Sequence, residues 1–134
     1  MPQKQGSSSS SGGRLDGSLG AAVVAANIVL GAGWGGSTHV VTAGSTDQRG
    51  EVVITCATGG GLAQATATLA LTFADGAFEA KPWFNIKGVT SNSLTAASDW
   101  TVTQAATTTT VLTATFQVLP VNAATYTVRW IAVA

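Results

Sequence analysis

The sequence predicts an all-β domain, an antiparallel β-sandwich or jelly-roll-like fold that follows an extended N-terminal arm. Three observations support this fold class: apolar and polar residues alternate with a period of two, turn signals recur roughly every ten residues, and threonine and valine are abundant. Successive side chains of a strand point to opposite faces of the sheet, so a period of two is typical of strands. Threonine and valine are poor helix formers that suit a pleated surface.

Two C-terminal segments show the alternation most clearly. In residues 109–117, an apolar face that includes Leu112 and Phe116 alternates with a face rich in threonine. Residues 125–133 place four further side chains on one face: Tyr126, Val128, Trp130 and Ala132. The opposite face of that segment carries Thr127, Arg129 and Ile131. A helix would separate Val128 from its neighbours, so both segments are predicted strands.

The remaining strands are delimited by glycine, proline, asparagine and serine clusters, which are the usual turn residues. Further predicted strands cover residues 37–42, 52–58, 66–73, 83–89 and 100–104. Residues 19–30 carry a mixed signal, because their alanines suit a short helix while their valine and isoleucine pairs favour a strand. We predict a strand there.

The chain divides into an arm and a domain. Residues 1–20 are rich in serine and glycine and bury too little apolar surface to offset the entropy of ordering, so we expect an arm that is flexible or held by a partner. Residues 21–134 form the predicted β-sandwich. A chain of 134 residues is long enough for one well-buried core and too short for two.

Charge is scarce. Only 9% of residues are charged and the formal net charge is zero, whereas about a quarter of residues are charged in an average soluble domain. We therefore expect partners to cover much of the surface. The basic residues stand singly in the sequence, with no stripe that could follow a phosphate backbone, so no nucleic-acid partner is predicted. The apolar run 19–30 is shorter than the about 20 residues that span a bilayer, so no membrane partner is predicted either.

No catalytic site, metal site or cofactor site is predicted, and we expect the protein not to be an enzyme. His39 is the only histidine and has no cysteine nearby that would complete a metal site. Cys56, the only cysteine, lies in an apolar alternating run and is expected to be a buried thiol. Turn chemistry accounts for aspartates such as Asp47 and Asp75. The glycine-rich segments lack the lysine and hydroxyl residue of a phosphate-binding loop.

Candidate contact residues come from the apolar continuation of the arm and from the tryptophans. Trp34, between glycines, is the best candidate for a role outside the core. The residues predicted to contact another subunit or partner are Leu19, Val23, Ile28, Leu30, Trp34 and Trp130. In an alternative interpretation, loops 31–36 and 91–98 contact surface glycans, which predicts that tryptophan side chains are exposed.

Residues 44–134 resemble small β-sandwich domains of bacteriophage fibres and head-decorating proteins. Three segments carry the resemblance: Gly44-Ser45-Thr46-Asp47 with the strand that follows it, the Thr/Ala-rich strand that ends at Phe73 with Lys81-Pro82-Trp83-Phe84 after it, and the terminal Ala124-Thr125-Tyr126-Thr127 motif with its aromatic continuation. Family members often end a long fibre chain, whereas this sequence has only a short arm. The departure favours a compact protein docked on a particle.

The resemblance implies a non-enzymatic virion protein that forms homotrimers, assembled in the host cytoplasm. We expect a capsid-decoration or head-fibre subunit that is anchored through its arm, with the major capsid or tail protein as a further partner. The alternative is a tail-fibre or receptor-binding module that contacts host surface glycans.

Overall fold

The computed structural model describes residues 20–59, 61–62, 67–90, 102–116 and 122–133, and the side chains of 87–90 and 102 lie outside this description. These residues form eight strands, preceded by a 3-10 helix at Ala25–Asn27. The strands are β1 (Ile28–Leu30), β2 (Thr38–Val41), β3 (Arg49–Thr55), β4 (Thr68–Thr72), β5 (Trp83–Thr90), β6 (Val102–Thr103), β7 (Val111–Phe116) and β8 (Thr125–Val133). The all-β prediction is confirmed.

The strands make two four-stranded sheets. The first sheet has the order β1-β4-β7-β6 and the second has the order β2-β3-β8-β5, with antiparallel pairing throughout. In the second sheet, β3 pairs with β8, a strand far along the sequence: Glu51 of β3 lies opposite Arg129 of β8. The two sheets pack their inner faces together, which is the arrangement of a β-sandwich.

The period of two correctly identifies the inner faces. Leu112, Ala114 and Phe116 of β7 are buried, and so are the even-numbered residues of β8 from Tyr126 to Trp130. The predicted strand at 19–30 is found only in part. In the described residues of this segment, from Gly20 on, a 3-10 helix precedes the three residues of β1. Asn27 stabilises that helical turn by accepting a hydrogen bond from the backbone N–H of Val24 through its side-chain oxygen, at 2.9 Å.

Aromatic side chains fill the space between the sheets. The indole of Trp34 contacts Phe116 of the first sheet and Tyr126 of the second edge to face, each at 5.8 Å between ring centroids. Phe73, Phe78 and Phe84 form a second cluster, with centroid distances of 4.8, 5.8 and 6.4 Å. Such contacts add to the stabilisation from buried area. Cys56 is buried in the core as predicted, and burial raises the pKa of its thiol.

Asp47 connects the loop before β3 to the turn after β4. Its carboxylate is buried and accepts hydrogen bonds from the backbone N–H groups of Ala74 at 2.7 Å and Asp75 at 2.8 Å. Local turn chemistry, which the sequence indicated for Asp47, is therefore not the whole of its role. The bond crosses from the second sheet to the first and fixes the turn that carries Asp75.

The predicted arm, apart from Gly20, lies outside the described residues, as do Leu19 and loop 91–98. Where the chain is described, no helix has the length and apolar character needed to cross a bilayer.

Candidate functional site: the outer face of the second sheet

The outer face of the second sheet is built from residues that alternate with the buried ones. In register across the sheet, Val40 of β2 neighbours Val53 of β3, and Glu51 of β3 neighbours Arg129 of β8. Trp83 of β5 lies opposite Val133 of β8. We call these residues, together with Arg49, Asn85, Thr127 and Ile131, the outer face.

Large apolar side chains are concentrated on the outer face. Four of the six exposed large hydrophobic residues in the described part of the chain belong to it, and their exposures are 68% for Val40, 60% for Trp83, 57% for Ile131 and 48% for Val133. Three of the four are neighbours on β5 and β8 and form an apolar corner of Trp83, Ile131 and Val133. A group of apolar side chains on one face is typical of a surface that binds a partner.

A charged pair divides the apolar corner from Val40 and Val53. The Nε of Arg129 donates to Oε2 of Glu51 at 2.7 Å, and the hydroxyl of Thr42 donates to Oε1 at 2.7 Å. The hydrogen bond from Thr42, followed by that from Arg129, holds the pKa of Glu51 below its usual value. The pair is exposed to solvent and contributes less than about 1 kcal/mol to stability, so its main effect is to fix both side chains in place.

An open depression of about 310 Å³ lies beside this pair. The turn 42–45, the start of β3 and the Arg129–Ile131 stretch of β8 line it. Gly50 faces the indole of Trp130, whose Nε1 donates to the backbone oxygen of Thr46 at 3.0 Å. An ordinary side chain at position 50 would collide with that ring, so the start of β3 can pass over Trp130 only with glycine there.

The structure buries most of the residues that the sequence assigned to partner contact. Val23, Ile28, Trp34 and Trp130 are between 1% and 4% exposed, and Leu30 packs against the same core. A partner docking on the folded domain does not reach these side chains. The expectation that Trp34 lies outside the core is wrong, because the turn after β1 folds its indole between the sheets, where Nε1 donates to the oxygen of Thr68 at 3.0 Å.

The sequence did contain a signal for the outer face. Ile131 and Val133 stand on the threonine and arginine side of the alternation in β8, where an apolar residue gains nothing from the subunit's own core. Trp83 and Val40 gave no comparable signal. Which face their side chains occupy is determined only by the pairing of β5 with β8 and of β2 with β3.

The outer face combines exposed apolar side chains with charged ones, a composition typical of protein interfaces. Across the described ranges, no three histidine, cysteine or acidic side chains come together in a group that could hold a metal ion. His39 is engaged by the 3-10 helix, with Nε2 at 3.0 Å from the backbone oxygen of Ala25. No protein-family model matches the chain, and comparison with curated proteins and with solved structures gives no match.

Proposed function

We propose that this protein is a non-catalytic structural subunit of a bacteriophage virion that assembles with copies of itself through the outer face of the second sheet. The observation that supports assembly is the concentration of exposed apolar side chains on this one face in a chain of which only 9% is charged. The virion role is supported by the resemblance of residues 44–134 to domains of phage fibres and head-decorating proteins. We further propose a homotrimer, anchored on the particle by residues 1–20 as a capsid-decoration or head-fibre subunit.

Burial of the apolar corner supplies the driving force. Full burial of a large apolar side chain contributes about 1.5–3 kcal/mol, and Trp83, Ile131 and Val133 are each still about half exposed or more. Association costs about 4–15 kcal/mol in lost freedom, so a single residue cannot hold two subunits together whereas a contiguous group can.

Ile131→Asp should abolish or strongly weaken self-association, because it replaces one side chain of the apolar corner with a charge. Val29→Asp is the matched control: Val29 is 60% exposed, close to the 57% of Ile131, but lies on β1 in the first sheet. Sedimentation velocity of both variants, with far-UV circular dichroism to verify folding, tests this. Equal loss of association in the two variants would contradict the assignment of the outer face.

The virion role is tested by quantitative peptide mass spectrometry of purified, nuclease-treated phage particles that encode this chain. We expect the chain in many copies per particle, in fixed ratio to the major capsid or tail protein. Absence from purified particles, together with presence in the lysate, would contradict the virion role.

A second candidate function, a module that binds host surface glycans, is favoured by the exposed indole of Trp83. An exposed tryptophan can stack on a sugar ring, although the ammonium of Lys81 already lies 5.1 Å from the centroid of this ring. Loop 31–36 does not offer the indole of Trp34 to a sugar, because that indole is buried. Quenching of tryptophan fluorescence by host polysaccharides, lost in Trp83→Ala, would support this function.

A further inference from the structure

Among the described residues, the exposed basic side chains lie on or beside the outer face, and the exposed acidic ones other than Glu51 lie in one turn just before Lys81. Basic residues that stand singly in the sequence come together on or beside the outer face: Arg49 and Arg129 belong to it, and Lys81 lies over Trp83. Lys87, the remaining basic residue after position 20, takes the register position opposite Arg129. Of the acidic residues that the structure describes, the outer face contains only Glu51, which is already paired with Arg129.

Two exposed acidic residues lie elsewhere, in the turn that connects the first sheet to the second. We call residues 74–80 the acidic turn, after Asp75 and Glu79. The turn is held in one conformation, because Asp47 binds the N–H groups of Ala74 and Asp75 and the buried Phe78 donates its backbone N–H to the oxygen of Thr109 at 2.9 Å. A surface that is ordered in advance loses little entropy when a partner binds.

Within the described residues, most of the charges of these two surfaces have no ion-pair partner. Over the described residues, the one ion pair is Glu51–Arg129. Arg49 and Lys81 on one side, and Asp75 and Glu79 on the other, are therefore two basic and two acidic side chains that face solvent without an ion-pair partner in that part of the chain. The two sets are opposite in sign.

Direct stacking of the outer face on the same face of another copy would bring its excess of positive charge against itself. Juxtaposed like charges at an interface cost several kcal/mol, which would offset the burial of the apolar corner. The acidic turn of a second copy has the opposite sign and meets no such penalty.

We infer that the outer face of one subunit docks on the acidic turn of a second copy, with Arg49 and Lys81 facing Asp75 and Glu79 of the neighbour. This contact rests on the proposed self-assembly and specifies the partner surface. The apolar corner supplies burial, and the complementary charges determine which surfaces meet. When two different patches of identical subunits bind each other, each subunit docks on the next in the same way. If the rotation between neighbouring subunits closes on itself, the result is a ring, which is compatible with the proposed homotrimer.

Charge reversal in the full chain tests this contact. The basic-side variant is Arg49→Glu with Lys81→Glu, and the acidic-side variant is Asp75→Lys with Glu79→Lys. We expect each variant alone to associate about tenfold more weakly than the native chain or worse, since two favourable charge pairs become repulsive. A chain that carries all four substitutions should regain association. An equimolar mixture of the two double variants should regain only part of it, because two of the three contacts in a mixed trimer are complementary and the third is not. Thr103→Glu, an exposed change on the first sheet, is the control.

Sedimentation velocity and native mass spectrometry of the mixtures distinguish the outcomes. Restored association in the four-substitution chain supports the contact. Native-like association of both double variants would overturn it while leaving the proposed assembly intact. Failure of the folded four-substitution chain to regain association would overturn it as well. A native chain that is monomeric at every concentration would overturn the proposed assembly itself.

Discussion

Replacing Trp34 with alanine should lower the free energy of unfolding by about 3–5 kcal/mol, the usual cost of truncating a buried aromatic side chain. Trp34 is 1% exposed and contacts one aromatic residue from each sheet, so its removal opens a cavity between them. Trp34→Phe should cost less, because it keeps most of the packing and loses chiefly the hydrogen bond to Thr68. The backbone oxygen of Thr68 would remain satisfied, because it also accepts a hydrogen bond from the backbone N–H of Gly31.

The control for this prediction is Trp83→Ala, at the tryptophan that is 60% exposed. At a protein concentration low enough to keep the chain monomeric, it should change the free energy of unfolding by no more than about 0.5 kcal/mol. Guanidinium unfolding followed by circular dichroism measures both variants. A cost at Trp34 no larger than that at Trp83 would contradict the core position of Trp34.

Gly50→Ala should destabilise the fold by about 1–3 kcal/mol or more, the cost of overpacking a filled core. A Cβ at this position would lie 2.2 Å from Cζ2 of Trp130 and 2.7 Å from Cε2 and Cη2. The indole cannot withdraw without losing its hydrogen bond to Thr46. The sign of the change in stability is informative, because replacing glycine with alanine inside a strand would otherwise stabilise the fold.

Gly36→Ala is the matched control, since a Cβ there meets only Ala57 at 3.9 Å, an ordinary contact. It should leave the free energy of unfolding nearly unchanged, whereas Gly50→Ala should also alter the near-ultraviolet circular dichroism of the tryptophans. Combining Gly50→Ala with Trp130→Leu should cost less than the sum of the two single changes, because the smaller side chain leaves room for the Cβ. Strictly additive costs would argue against a clash between residues 50 and 130.

The strands with a regular alternation were predictable because the alternation is a local property. Residues 125–133 were predicted as a strand with Tyr126, Val128 and Trp130 on one face, and the structure buries these three side chains. The strand prediction for residues 19–30 was wrong in part. A 3-10 turn capped by Asn27 depends on one side-chain hydrogen bond, which leaves no periodic pattern in the sequence.

Features that arise from long-range pairing were not predictable from one sequence. Gly50 and Trp130 are neighbours only through the register of β3 on β8, and Asp47 reaches a turn that lies 27 residues further along the chain. Trp34 was assigned to the surface because glycines flank it. Those glycines serve instead to fold the loop tightly, with Gly35 at φ 57°, so that the indole turns inward.

The candidate surface illustrates the same limit. Arg49, Lys81 and Arg129 are separated by tens of residues and gave no sign of a basic patch. The order β3-β8-β5 nevertheless places the strands of Arg49 and Arg129 next to β5, whose Trp83 lies under Lys81. The apolar corner likewise joins β5 to β8. Composition gave the expectation that partners cover much of the surface, and the topology shows on which face the exposed apolar side chains are concentrated.

Sedimentation equilibrium of the full native chain, from about 1 µM to about 100 µM, tests the central claim of self-assembly most directly, because this range brackets the affinities expected of modest interfaces. We predict a discrete oligomer with the mass of a homotrimer that dissociates only on dilution. The mass of a single folded subunit at every concentration would contradict the claim.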